Sequence, residues 1–267
     1  MPIPLLQVDA FTSEPYSGNP AAVCLLRAPA PDDWMQSLAA EMNLSETSFI
    51  EPRNDGSFSL RWLTPTCEVD LCGHGTLAAA HAVWDWGLKR GDEPVRFHSR
   101  SGELLCRRDE EFITMDFPAC PPVAWDAADD VSRVLGRTPT WVGRDPQNKL
   151  IALLEREEAV RGCAPDFRAL AALPHQGCVI TAPSDDDRFD FVSRFFAPAV
   201  GVDEDPVCGS AHCALGPFWA ERLSKSDLMA HQISARRGVL RLRVQGDRVE
   251  LAGRAVTVLK GEVLAEP

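Results

Sequence analysis

Two cysteines, Cys72 and Cys208, stand at matching points of the chain, each followed by a glycine and then by a predicted helix. The first helix is predicted over the uncharged run 76–84, and the second over residues 210–223. Backbone N–H groups and the dipole at a helix start favour negative charge, which lowers a thiol pKa and can also bind a carboxylate. Both cysteines are therefore candidate proton-transfer groups, and both helix starts are candidate binding positions for a small carboxylate substrate.

These helix starts belong to an internal repeat. The segments 61–65 (RWLTP) and 194–198 (RFFAP) read alike, and each precedes one of the two cysteines by a similar distance. The similarity continues upstream and downstream, which indicates two domains built on one plan. We predict domains at 1–118 and 119–267, with the last strand able to cross back to the first domain.

Each half has the same predicted order of elements. Alternating strands, such as 57–63 and 189–195, lead through a proline-bearing loop and a small-residue turn to one helix, and a strand hairpin follows. Pro217 should kink the second helix or delay its regular start. The pattern predicts an α+β fold with two pseudo-symmetric domains, each a central helix wrapped by a mostly antiparallel sheet or barrel. Symmetry predicts that the two helix starts face each other across a cleft.

The charge balance argues against several classes of partner. The chain has 27 Lys and Arg against 39 Asp and Glu, a formal net charge of −12, and no basic cluster. Nucleic acids and anionic membranes need a positive face, so neither is expected as a partner. No apolar run approaches the roughly 18 residues of a membrane span. Because the first basic residue is Arg27, no secretory signal is expected either, and we predict a cytoplasmic protein.

The nine cysteines are an odd number in a chain without an export signal, which argues against a disulfide framework. We interpret six of them as packing residues: Cys67, Cys106, Cys120, Cys163, Cys178 and Cys213. Two groups could be imagined as zinc ligands, namely Cys67 with Cys72 and His74, and Cys208 with His212 and Cys213. Neither has the closed four-ligand spacing of a structural site, and no nucleotide-binding glycine motif occurs. Neither a metal nor a cofactor is therefore expected.

Longer motifs carry a resemblance to a known family. They are 43–49 (NLSETSF), 64–76 (TPTCEVDLCGHGT), 204–212 (EDPVCGSAH) and the opening 8–12 (VDAFT). Over nearly its whole length the chain resembles the PhzF-like (phenazine-biosynthesis) isomerases of the diaminopimelate-epimerase-like superfamily. The resemblance implies the strand-wrapped helices of that superfamily, a homodimer and a reaction without a cofactor.

The resemblance also implies roles for individual residues. Glu46 matches the glutamate that moves a proton between carbons of a cyclohexadiene amino acid. The residues that carry over in supporting roles are His74, Asp205 and Ser210, with Gly73 and Gly209 as backbone donors. The residues expected to bind the substrate are Gly73, Gly75, Gly209 and Ser210. Closure into a dry cleft should raise the pKa of the Glu46 carboxyl, so that it can accept and return a proton near neutral pH.

One position departs from the family pattern. Most PhzF-like members have threonine where this chain has Cys208, whereas the amino-acid racemases of the superfamily have cysteine at both helix starts. The leading hypothesis is an isomerase with Glu46 as general acid and base. The second is a racemase or epimerase that uses Cys72 and Cys208 as opposed bases, and the third is a non-catalytic metabolite-binding or interaction protein.

Overall fold

The computed structural model of the protein describes residues 2–267, which form two compact units. The first unit contains the chain up to Asp116 together with Ala252–Pro267, and the second contains Phe117–Leu251. The C-terminal segment therefore belongs to the first unit. In the part of the chain from residue 2 onward, no helix combines the length and apolarity that a membrane crossing requires.

The N-terminal part of the chain forms eight strands and two helices. The strands are β1 (Ile3–Ala10), β2 (Asn19–Leu25), β3 (Glu46–Pro52), β4 (Phe58–Leu63), β5 (Glu68–Val69), β6 (Val95–Ser99), β7 (Gly102–Asp109) and β8 (Phe112–Pro118). The helices are α1 (Asp32–Met42) and α2 (Gly73–Asp85).

The remainder of the chain forms ten strands, four α-helices and one 3-10 helix at Pro198–Val200. The strands are β9 (Val123–Ala124), β10 (Trp141–Arg144), β11 (Lys149–Leu153), β12 (Gly177–Pro183), β13 (Phe191–Ala197), β14 (Val202–Asp205), β15 (Asp227–Gln232), β16 (Gly238–Gln245), β17 (Arg248–Gly253) and β18 (Ala255–Val263). The helices are α3 (Ala128–Leu135), α4 (Glu157–Arg161), α5 (Phe167–Ala171) and α6 (Gly209–Leu223).

Strand pairing repeats from one unit to the other. In the first unit β1 and β2 are antiparallel, β2 and β3 parallel, β3 and β4 antiparallel, and β4 pairs antiparallel with β5 and parallel with β6. In the second unit β10 to β15 pair in the same order with the same directions. A second hairpin strand follows in each case, β7 on β6 and β16 on β15. Most of these pairs are antiparallel, which confirms the predicted α+β fold class. The same order and directions of pairing in both units confirm the internal repeat.

The two long helices, α2 and α6, lie where the sequence predicts them. Every residue of α2 from His74 to Ala80 is buried, and the helix packs against β1, β2 and β3. The second helix begins at Gly209, so Pro217 does not delay its start. Pro217 has no N–H for the carbonyl of Cys213 four residues earlier, and that carbonyl accepts a bond of 2.9 Å from the Cys120 N–H instead.

One helix per half is an incomplete prediction, because further helices cover the outer face of each sheet. In the first unit α1 places Met35 and Ala39 against strand residues such as Leu5 and Phe49. In the second unit α3, α4 and α5 contribute to an equivalent cluster. Helices α4 and α5 have only five residues each, and α1 buries only Met35 and Ala39, so their apolar pattern is weak. Helix α3 buries Val131, Val134 and Leu135 along one face, a periodicity that the sequence analysis missed.

The prediction that six cysteines pack in the core is wrong for Cys67, which is exposed, and right for the other five. Cys67 closes a tight turn between β4 and β5, in which the Thr64 N–H donates to the Cys67 carbonyl at 2.8 Å. A residue at such a turn is held by backbone hydrogen bonds and contributes little side-chain packing.

The glycine at position 75 permits a close approach between α2 and the sheet. A Cβ there would lie 2.8 Å from Trp62 Cδ1 and 3.0 Å from both Cys72 Sγ and Ser48 Oγ. We expect Gly75→Ala to lower the free energy of unfolding by about 1–3 kcal/mol through overpacking. Urea unfolding followed by circular dichroism measures the change.

Gly216→Ala is the matched control for that substitution. Gly216 lies inside α6, where a Cβ would have contacts of 3.4 Å or more with the nearest side chains. We expect a change within about 1 kcal/mol, since alanine has the better helix propensity. Equal destabilisation by the two substitutions would contradict the steric explanation.

Candidate active site

Three elements of the first unit place polar side chains around His74. His74 is the second residue of α2, Glu46 opens β3, and Asn19 opens β2. His74 Nε2 lies 2.9 Å from Glu46 Oε2, and the two side chains are 7% and 17% exposed. On the other side of the ring, Nδ1 lies 3.2 Å from Asn19 Nδ2 and 3.5 Å from Cys72 Sγ. The ring therefore contacts a carboxylate through one nitrogen and an amide and a thiol through the other.

Cys72 is the N-cap of α2. Its sulfur accepts the Gly75 N–H at 3.3 Å, and its carbonyl accepts the Thr76 hydroxyl at 2.5 Å. Ser48 of β3 donates its hydroxyl to the Gly75 carbonyl at 3.1 Å. These bonds join the first turn of α2 to the strand that carries Glu46, so the Cys-Gly-His-Gly sequence brings Glu46, Cys72 and His74 together.

The charges of Glu46 and His74 stabilise each other. Burial on its own raises the pKa of the Glu46 carboxyl, but the charge and hydrogen bonding of His74, with a smaller contribution from Cys72, hold that pKa below its usual range. Burial lowers the pKa of His74, but Cys72 and Glu46 together raise it well above the ordinary value. The expectation of a raised Glu46 pKa is therefore wrong, because the strand and helix supply a cation beside the carboxylate.

Neither helix-start thiol has the lowered pKa that the sequence predicts. Burial raises the pKa of Cys72, and the nearby Glu46 carboxylate raises it further. Burial and Asp205 likewise raise the pKa of Cys208. The helix-start N–H groups act in the predicted direction, but desolvation outweighs them at both positions.

The second unit repeats the helix start with different chemistry. Cys208 is the N-cap of α6, and its sulfur accepts the Ala211 N–H at 3.4 Å and lies 3.3 Å from Ser210 Oγ. The Cys208 N–H donates to Gln232 Oε1 at 3.0 Å, and Gln232 Nε2 donates to the Asp205 carbonyl at 2.7 Å. Serine therefore stands where the first unit has His74.

The predicted site residues fall into two groups, one in each unit. In the first unit, Glu46 of β3 lies beside the start of α2, which holds Cys72, Gly73, His74 and Gly75. In the second unit, Asp205 ends β14, and Cys208, Gly209 and Ser210 form the start of α6. The sequence analysis assigned no role to Asn19, although Gly18-Asn19-Pro20 follows the opening motif.

Two ion pairs in equivalent positions also escaped the sequence analysis. Arg61 binds Glu68 through contacts of 2.8 and 2.7 Å, and Arg194 binds Glu204 through contacts of 2.7 and 2.9 Å. Each glutamate precedes its helix-start cysteine by four residues. The repeat itself was the available signal, since it aligns both arginines and both glutamates. These pairs tie the short strand before each helix, β5 or β14, to the neighbouring strand, β4 or β13.

The protein-family model described as phenazine biosynthesis-like protein matches residues 8–261 of this chain. The chain belongs to the phenazine biosynthesis-like family. An uncharacterized isomerase of Pseudomonas aeruginosa is 51% identical over 257 residues, which cover 96% of this chain and 97% of that protein. As a PhzF-like isomerase, the chain fits the enzyme hypotheses and not the non-catalytic one.

Solved structures agree with the fold of this PhzF-like isomerase. A PhzF family protein of Enterococcus faecalis, 40% identical, has a TM-score of 0.94 over 99% of this chain and 100% of its own. A probable proline racemase from Agrobacterium radiobacter, 12% identical, has a TM-score of 0.63 over 99% of this chain and 94% of its own, and shares the fold alone. The diaminopimelate-epimerase-like fold implied by the sequence motifs is confirmed.

His212 lies one turn into α6 and is wholly buried. Its Nδ1 lies 2.7 Å from the Cys208 carbonyl oxygen, and its Nε2 lies 3.4 Å from Ser193 Oγ. Burial lowers the pKa of His212 to about 4, despite the opposing hydrogen bond to Cys208. Near neutral pH the ring is therefore uncharged and donates Nδ1–H to the carbonyl that precedes the helix.

The low pKa of His212 should make folding stability depend on pH. Unfolded His212 has the ordinary pKa of 6.5, so between pH 6.5 and pH 4 the unfolded chain binds a proton that the folded chain does not. The contribution of His212 to the free energy of unfolding is complete above pH 6.5, the pKa in the unfolded chain. It is lost as the pH falls toward about 4, the pKa in the folded protein. We expect a loss of about 3 kcal/mol across that range.

The control is His212→Asn, which keeps an N–H donor near the Cys208 carbonyl and removes the titration. Urea unfolding at neutral pH and near pH 4.5 should show a larger loss for the unsubstituted protein than for the variant. The same loss in both proteins would assign the pH dependence to other groups.

Proposed function

We propose that this PhzF-like isomerase moves a proton within a small carboxylate-bearing substrate, with Glu46 as the group that accepts and returns the proton. The observation that carries the proposal is the 2.9 Å ion pair between the Glu46 carboxylate and His74 Nε2 at the start of a buried helix. The pair holds the carboxylate ionised, which is the state that a general base requires before substrate binds.

The reaction can proceed with side chains alone. Glu46 removes a proton from one carbon, becomes neutral, and returns the proton to another carbon of the same substrate. The negative charge that leaves Glu46 then develops on the substrate, where the His74 cation and the N–H groups of the helix start can stabilise it. If Glu46 returns the proton to the substrate faster than it exchanges that proton with solvent, the product carries no hydrogen from solvent.

The identity and placement of the substrate remain predictions. A carboxylate is the expected substrate group because helix starts bind anions. Roles for Asp205, Gly209 and Ser210 of the second unit in binding it rest on the family resemblance, as does the homodimer. Gly73 is proposed as a backbone donor, whereas the Gly75 N–H already donates to Cys72.

A second candidate function is racemisation or epimerisation of an amino acid by the two thiols. The observation that favours it is the equivalent placement of Cys72 and Cys208, each an N-cap whose sulfur accepts a backbone N–H, at 3.3 and 3.4 Å. His74 Nδ1 lies 3.5 Å from Cys72 Sγ, where a protonated imidazole would stabilise a thiolate. The raised pKa of both thiols favours Glu46 as the base.

Deuterium exchange separates the two candidates. Reduced protein is incubated in D2O with L- and D-amino acids, hydroxyprolines and a dihydro-hydroxyanthranilate, and deuterium is measured by mass spectrometry. We expect label or rearrangement in the cyclic diene, a loss of about a hundredfold or more in Glu46→Gln, and retention of most activity in Cys208→Ser.

The opposite pattern would establish the second candidate. Label at an amino-acid Cα that is lost in Cys208→Ser and kept in Glu46→Gln would make the protein a two-thiol racemase. Circular dichroism of both variants shows whether they are folded. The absence of both label and rearrangement from every compound with the unsubstituted protein would contradict proton transfer on these substrate classes.

A further inference from the structure

We propose that Glu46, Cys72 and His74 form a binding site for one thiophilic divalent cation such as Zn²⁺, and that the bound cation inhibits the enzyme. The ligand atoms of these three side chains lie within 4.8 Å of one another. Binding of the cation follows from this geometry alone, whereas inhibition also rests on the proposed role of Glu46. The site thus adds a means of regulation to the proposed active site.

The donor atoms suit zinc in type and spacing. Sulfur, imidazole nitrogen and carboxylate oxygen are its usual protein ligands, at bond lengths of about 2.0–2.3 Å that place tetrahedral ligand atoms about 3.3–3.7 Å apart. His74 Nε2 is 2.9 Å from Glu46 Oε2 and 4.0 Å from Cys72 Sγ. Small rotations of these side chains would bring both distances into that range. Three protein ligands leave a fourth position for water.

The groups around the three ligands also fit a metal site. The Gly75 N–H already points at Cys72 Sγ at 3.3 Å and would stabilise a metal-bound thiolate. Asn19 contacts the ring nitrogen of His74 that faces away from Glu46. A half turn of that amide would present its oxygen to the Nδ1–H, the second hydrogen bond that orients most metal-binding histidines.

No linear zinc motif predicts this site, because its carboxylate comes from a different element. Glu46 opens β3, whereas Cys72 and His74 begin α2. The sequence analysis grouped Cys67 with Cys72 and His74 as conceivable zinc ligands, but Cys67 is exposed and lies outside the cluster. The Glu46 side chain is 17% exposed but its Oε2 is buried, so entry of a cation requires movement of the side chains around the site.

Binding requires proton release and no redox partner. As the sulfur–metal bond forms, the thiol proton of Cys72 passes to solvent, and a protonated His74 likewise releases its Nε2 proton. The Glu46 oxygen lone pair then binds the cation and cannot accept a proton from the substrate. The bound cation should therefore act as a reversible inhibitor that a chelator removes.

The second helix start provides an internal comparison. There Cys208 is followed by Ser210 where the first unit has His74. Over residues 2–267, the only cluster of three His, Cys, Asp or Glu ligand atoms this close together is the one around His74. The structure therefore predicts one cation per chain and no contribution from Cys208.

Cobalt binding tests the proposal without any substrate. Co²⁺ is titrated into the reduced, metal-free protein, and the thiolate-to-cobalt charge-transfer band in the near ultraviolet is recorded. We expect one Co²⁺ per chain, displacement by Zn²⁺, loss of the band in Cys72→Ser, and affinity at least tenfold weaker in Glu46→Gln. Cys67→Ser, which removes an exposed thiol, should keep the band and the affinity unchanged.

Two outcomes would overturn the site. One is the absence of a thiolate band in the folded, unsubstituted protein, and the other is a band that survives Cys72→Ser but disappears in Cys67→Ser or Cys208→Ser. Circular dichroism of each variant distinguishes loss of ligands from loss of fold.

Because the band needs no turnover, failure of the deuterium-exchange experiment leaves this result unaffected. Where exchange is observed, Zn²⁺ should abolish it and a chelator should restore it; persistent exchange with Zn²⁺ bound would overturn inhibition.

Discussion

The first turn of α2 can approach β3 and β4 only because residue 75 has no side chain. Trp62 and Ser48 occupy the space that a Cβ would need, and the sulfur of Cys72 fills the rest. This close contact places His74 within reach of a carboxylate that begins the neighbouring strand. The geometry of the candidate site therefore depends on backbone packing in a buried region, which holds polar groups more rigidly than a loop would.

Glu46 and His74 are two ionisable groups whose charged forms would each be unfavourable if buried alone. A carboxylate or an imidazolium alone would lose much of its hydration on burial, and each would shift toward its neutral form. Side by side at 2.9 Å they remain charged, so the enzyme begins with an ionised base and a fixed cation. A pair of this kind contributes little to stability overall, but removal of one member leaves the other buried and uncompensated.

Much of the fold could be predicted from the sequence, because duplication makes weak local signals appear twice. The matched segments around Arg61 and Arg194 indicated the repeat that the strand pairing confirms. The contact between Glu46 and His74 could not be derived from spacing, since it joins a strand to a helix, and only the family resemblance selected Glu46. The signs of the pKa shifts depend on the balance between burial and neighbouring charges, and a linear sequence carries no measure of either. Helix α1 escaped prediction for a related reason, since its packing depends on the outer face of a sheet.

The return of the chain to the first unit has a consequence for the order of folding. Strand β1 pairs antiparallel with β18 along its whole length, from Ile3 opposite Val263 to Ala10 opposite Ala255. On the ribosome, β1 therefore emerges well before its partner, which follows the entire second unit. The second unit, continuous in sequence, can fold during synthesis, while the sheet that carries Glu46 lacks one strand until β18 emerges. The duplicated halves are thus alike in topology but unlike in the time at which each can be completed.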